Sequence, residues 1–264
     1  MNGQPLVRPA AVAGTFYPAD ATQLRRNVEQ LLAQGEPHTL PSPQALIVPH
    51  AGYRYSGTTA ATAYRQLEKC AGDINRVILL GPAHRVYVEG MAVPSSSRFA
   101  TPLGEVPLDQ AGIARALALS GTASNDEAHR QEHALEVQLP FLQCILGDFS
   151  LLPIVVGQCP VAGVAALIDT LWTGPGVLLV VSSDLSHFQP YDSATRHDRS
   201  SCQRILNGEH DLKGSDACGA GPINGLLASH RGSRLQRRLL AYCNSGDTGG
   251  DRQRVVGYGA FSLH

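Results

Sequence analysis

Along the chain, short runs of consecutive apolar residues alternate with stretches in which apolar residues recur every three or four positions. The runs are "ALIVP" (45–49), "RVILLG" (76–81), "SLLPIVVG" (150–157), "GVLLVVSS" (176–183) and "RVVGYGAFSL" (254–263). Strands covered on both faces need such unbroken apolar runs, because neither face meets water. Between them, "DATQLRRNVEQLLAQG" places Leu24, Val28, Leu31 and Leu32 on one helical face, with Asp20 as cap and Gly35 as stop. Further helices are expected over 56–70, capped by Ser56, and over 109–119, 160–172, 190–207 and 222–230. A helix over 132–146 is expected to kink or break at Pro140. The segment 86–108 is punctuated by Pro and Gly and reads as shorter strands or loops, while "RRLLAYC" (237–243) fits either element. Alternation of buried strands and helices predicts an α/β protein, a three-layer α/β/α sandwich around a mostly parallel, mixed sheet. No long linker and no internal repeat divides the chain, so one domain over 1–264 is expected.

Composition narrows the function classes. With 43% hydrophobic and 16% charged residues the chain can build a sizeable core, which excludes a disordered polymer. The formal net charge is −1 and no Lys/Arg run exceeds two residues, so there is no electrostatic footprint for nucleic acid or a membrane surface. "MNGQPLVRPA" has no apolar signal region and the aliphatic runs are too short to span a bilayer, which predicts a cytoplasmic protein. Six cysteines occur with no CxxC pair, against a zinc ribbon or a thioredoxin-type motif. They are expected to be buried small apolar residues in a reducing compartment.

The candidate chemistry lies where the strands end. His50 follows the first run and His84 the second; Asp184 and His187 follow "GVLLVVSS"; Asn244, Asp247 and Thr248 follow "RRLLAYC". If these strands are parallel, all of these groups reach one carboxyl edge, where open α/β sheets bind ligands. Neutral imidazoles beside a carboxylate suit iron, copper or zinc, and two histidines with one carboxylate suit non-haem iron. His38, His197, His210, His230 and His264 read as ordinary surface residues. A competing pattern, "HRQEH" at 129–133, fits H-x-x-E-H, in which two histidines one helical turn apart hold zinc beside a glutamate base. Nucleophile elbow, phosphate-loop and dinucleotide fingerprints are absent.

The blocks "RPAAVAGTFYP", "IVPHAGYRYSG", "GPAH", "QEHALEVQLPFLQ", "SSDLSHF", "ACGAGPI" and "CNSGDTGGDRQRVVGYGAF" occur in an order that resembles the Memo family, called AmmeMemoRadiSam system protein B in bacteria and archaea. The resemblance implies a fold similar to the LigB-type class III extradiol dioxygenases, which hold Fe(II) with two histidines and a glutamate. It implies that His50 and His84 are metal ligands, that His187 matches the dioxygenases' base with metal contact also possible, that Asp184 lies beside it, and that His133 is a further pocket histidine. The expected cofactor is a transition metal, Fe(II) first, with Cu or Zn as alternatives. At the position of the dioxygenases' glutamate this chain carries Thr248, so the anionic ligand would come from Asp247 or Asp184. The implied partners are a small-molecule ligand and, from the system name, AMMECR1-type and radical-SAM proteins. Three readings follow: an iron or copper protein with dioxygenase-like chemistry, a binding module with a vestigial pocket, and a zinc peptidase built on 129–133.

Overall fold

The computed structural model describes residues 6–34 and 41–264; Gly35 and His38 lie outside the described residues. The first half of the chain forms β1 (Val7–Arg8), α1 (Ala21–Gln34), β2 (Ala45–Val48), α2 (Tyr53–Tyr64), β3 (Arg76–Pro82), β4 (Met91–Val93), β5 (Arg98–Thr101), β6 (Gly104–Pro107), α3 (Gln110–Leu117), β7 (Thr122–Ser124) and α4 (Asp126–Arg130). The second half forms α5 (His133–Glu136), α6 (Leu139–Leu146), β8 (Ser150–Val156), α7 (Val161–Leu171), β9 (Val177–Ser182), β10 (His187–Gln189), α8 (Tyr191–Asn207), α9 (Ala220–Ala228), β11 (Arg237–Asn244) and β12 (Val255–Leu263).

Four strands, β2, β9, β3 and β8, lie side by side in that order and run parallel. β12 joins β2 antiparallel, and β11 pairs antiparallel with the other side of β12, so β11 points the same way as β2. β10 pairs with β12, while β4 and β7 extend the far edge beyond β8. A separate small sheet joins β1, β5 and β6. The central strands are buried at consecutive positions, as expected for a sheet covered on both faces: Leu46, Ile78, Leu79, Leu80, Leu152 and Val180 are all fully buried. Each such side chain contributes roughly 1.5–3 kcal/mol of apolar burial. α1, α2 and α6 pack on one another, with α2 against β2, β11 and β12; α9 lies on β3 and β9 and is backed by α7. The expected α/β architecture is the one observed.

Several boundaries moved for tertiary reasons. α2 begins at Tyr53, not at Ser56, because Tyr53 is anchored at both ends: its N–H donates to Phe16 O (2.8 Å) and its hydroxyl to Val137 O (2.8 Å). Ser56 is then an interior helical residue whose hydroxyl bonds Ala51 O at 3.0 Å. The stretch 132–146 divides into α5 and α6, and Pro140 sits in the first turn of α6, where its missing N–H breaks no helical bond. The ambiguous segment is β11, made a strand by seven register pairs with β12.

Candidate metal centre

β2, β9 and β3 are neighbours, and each ends in a residue of one cluster. His50 follows β2, Ser182 closes β9 and leads to Asp184, and His84 follows β3. α5 starts at His133 and packs on β3. That approach depends on Gly81, where a Cβ would stand 2.9 Å from Leu135 Cδ2 and 3.3 Å from Ala134 Cβ. The rings of His50, His84 and His133 have centroids 4.7–5.3 Å apart. One ring nitrogen from each lies within 4.8 Å of the others, close enough to share a metal ion.

Hydrogen bonds define which nitrogens are free. The Ser182 hydroxyl has one proton and donates it to Ala134 O (2.6 Å), so its oxygen accepts from Gln138 Nε2 and from His50 Nδ1, both at 2.8 Å. His50 is therefore protonated on Nδ1 and carries its lone pair on Nε2. Glu132 accepts from His84 twice, from the backbone N–H (2.7 Å) and from Nδ1 (2.8 Å), which leaves the His84 lone pair on Nε2. His133 Nδ1 is buried and lies 3.4 Å from Glu132 Oε1, without an aligned hydrogen bond among the described residues. The donor set of three imidazoles suits Zn, Cu, Fe or Ni, so these residues fit a transition-metal ion.

Burial keeps His50 and His133 neutral. Desolvation, reinforced by the nearby His84, brings the His50 pKa down to about 3, and desolvation with His50 as neighbour brings His133 to about 4. Burial alone would raise Glu132, but the hydrogen bonds from His84 and Ala134 outweigh it and hold the carboxyl at about 2. Asp184 is pushed up by burial, opposed by the His50 N–H that donates to it at 2.8 Å. The His84 side chain, 26% exposed, marks the solvent-facing side of the cluster.

The remaining sequence candidates take other places. His187 lies within electrostatic reach of His50 and Asp184, yet the three-nitrogen cluster comprises His133, not His187. His187 Nδ1 donates to Leu185 O (2.8 Å), so its lone pair is on Nε2. Asp247 is exposed and accepts from Tyr191 Oη (2.6 Å) and from Asn244 N (2.9 Å), tying its own loop; Thr248 donates to Ser245 O (3.2 Å). His210 and His230 are exposed, His197 pairs with Asp216 (2.7 Å), and His264 is partly buried beside Ser262.

The peptidase arrangement is not formed. α4 ends at Arg130 and α5 starts at His133, with Glu132 extended between them, so His129 and His133 do not share a helical face. His129 is instead a core residue, donating through Nε2 to Ala92 O (3.0 Å) and packed against Phe99. The pattern nevertheless delivers Glu132 and His133 to the cluster. Only Cys70 and Cys202 among the cysteines are fully buried, which corrects the uniform expectation. Cys218 Sγ stands 3.3 Å from His50 Nε2 and 3.6 Å from Asp184 O, two acceptors for one thiol proton. No local pattern around Cys218 marked it; only the packing of the "ACGAGPI" turn against β9 brings it there.

Fold and site together define an α/β protein with three converging imidazoles, able to hold a metal ion, at the carboxyl edge of a parallel sheet. Residues 8–262 match the family model described as "Memo-like protein", and the chain belongs to the Memo family. It is 38% identical to a MEMO1 family protein of Ignicoccus hospitalis, over 97% of this chain and 98% of that one. It is 36% identical to a MEMO1 family protein of Aquifex aeolicus, over 96% of this chain and 97% of the other. A crystal structure of an uncharacterized Escherichia coli K12 protein aligns with a TM-score of 0.47 at 15% identity, covering 81% of this chain and 98% of that one. No helix among the described residues is long and apolar enough to cross a membrane.

Proposed function

We propose that this Memo family protein binds a transition metal, Fe(II) first and Cu or Zn as alternatives, through His50, His84 and His133, and supports oxidoreductive chemistry on a small molecule. The observation that carries the reading is the set of three imidazole nitrogens within 4.8 Å of one another. Burial supports it, since His50 and His133 stay neutral, as ligands must. A bound ion would supply Lewis acidity and, for iron or copper, one-electron chemistry. The chain's own groups would do the rest. His187, with Nδ1 fixed on Leu185 O, offers Nε2 as a base, and the Asp184 carboxylate holds the His50 backbone N–H. The open side at His84 would admit the substrate. In the cell we place the protein in the cytoplasm, working with AMMECR1-type and radical-SAM partners, which co-purification would test.

Metal content after anaerobic purification tests the central reading. Stoichiometric iron, copper or zinc, lost in His50→Ala and His133→Ala and kept in His129→Gln, is the expected result, and zinc alone would refute the oxidoreductive part. No bound metal in the wild-type protein, and none after anaerobic titration, would refute it in favour of a pocket without metal chemistry.

A further inference from the structure

The glutamate of "HRQEH" is left without the role that its pattern suggests, yet it is among the most constrained side chains in the molecule. Glu132 is 1% exposed. Its Oε2 accepts from the His84 backbone N–H at 2.7 Å, and its Oε1 accepts from His84 Nδ1 at 2.8 Å and from Ala134 N at 2.9 Å. The last bond caps α5, whose first residue is His133. One carboxylate thus holds two members of the histidine cluster, one by its ring and backbone and the other by the start of its helix. Arg8 fixes this segment from behind, donating to Glu132 O (2.8 Å) and His129 O (2.9 Å) and pairing with Glu136.

We propose that Glu132 is the positioning carboxylate of the metal centre, setting the His84 tautomer so that Nε2 faces the ion, and is not a general base. The inference rests on the metal-binding reading above. A carboxylate only accepts, so the nitrogen it faces must carry the proton and the other must carry the lone pair. It also fixes the orientation of the ring it holds, as carboxylate partners of metal-bound histidines do. A side-chain amide cannot replace it. With oxygen at the Oε1 position to serve Nδ1 and Ala134, the amide nitrogen would face the His84 N–H, donor against donor. With the amide reversed, it would face the His84 Nδ1 proton.

A double-mutant cycle with anaerobic Fe(II) titration tests this, using wild type, Glu132→Gln, His84→Ala and the double variant, each checked for fold by circular dichroism. Glu132→Gln should weaken binding by about 10–100-fold, the usual cost of removing such a partner. In the His84→Ala background the same change should cost clearly less than in wild type, because only the share carried by the His84 ring is removed while the backbone N–H at 84 and the Ala134 cap remain. Wild-type affinity in Glu132→Gln, or an equal loss in both backgrounds, would overturn the proposal. A second measurement does not depend on metal. Nitrogen-15 NMR of metal-free protein should show His84 protonated on Nδ1, and Glu132→Ala should shift it toward the Nε2–H tautomer. An unchanged tautomer in that variant would also overturn the proposal. If the tautomer shifts but wild type binds no metal, Glu132 positions His84 as argued and the metal-binding reading falls instead.

Discussion

Acid should unfold the metal-free protein through its buried histidines, and His129→Gln should remove a defined share of that sensitivity. His50 in the folded protein titrates at about 3, and His129 and His133 at about 4, each chiefly because burial penalises the charged ring. In the unfolded chain all three titrate near the ordinary histidine value of about 6.5. As pH falls through 6.5 the unfolded chain takes up protons that the folded chain refuses, so stability is full above that value. It is lost progressively until the folded values near 3–4 are reached. Between pH 6 and pH 5 each histidine takes up nearly one proton more in the unfolded chain, worth about 1.2 kcal/mol, and three together cost about 3–4 kcal/mol. Glu132 adds to the loss below its unfolded value, whereas Asp184 and Asp198, raised by burial, bind protons more readily when folded and oppose it. Set against a typical total of about 5–15 kcal/mol, a loss of this size moves the urea midpoint visibly. His129 lies outside the cluster, and glutamine can still donate to Ala92 O, so His129→Gln should lower the pH 6 to pH 5 loss by about 1 kcal/mol. Urea denaturation with chelator present, at both pH values, reads the difference. A wild-type stability independent of pH over this interval, or an identical loss in the variant, would refute the linkage.

Two further outcomes follow from the buried network. Ser182→Ala should destabilise the fold by about 1–3 kcal/mol in thermal or urea denaturation, since Ala134 O loses its donor, His50 Nδ1 loses its acceptor and Gln138 Nε2 keeps only Pro49 O; a change under about 0.5 kcal/mol would contradict the assigned hydrogen bonds. Glu136→Gln should cost about 3–5 kcal/mol by the same assay, because Arg8 would stay buried without its counter-charge while Ala11 N, Val12 N and Tyr17 Oη share a weaker acceptor; near wild-type stability would show that this pairing is not a structural hub.

The sequence by itself determined what depends on periodicity. Unbroken apolar runs name β2, β3, β8, β9 and β12, because a strand covered on both faces has no position left for a polar side chain. His50 and His84 were legible for the same reason, as the first chemically active groups after such runs. Tertiary structure decided the rest. β11 carries no distinctive period and became a strand only by pairing with β12. His133 joins His50 and His84 because α4 and α5 separate at Glu132, a break set by side-chain capping and by bonds to His84, forty-eight positions away. The literal H-x-x-E-H match builds no zinc site for that reason: a five-residue pattern assumes a continuous helix, and long-range hydrogen bonds took its glutamate for another strand's histidine. Cys218 was silent because a lone cysteine looks the same in sequence whether it fills a core or, as here, lies against His50 Nε2. Contacts between segments far apart in the chain have no local signature, so periodicity could place the sheet edge but not the full set of side chains that meet there.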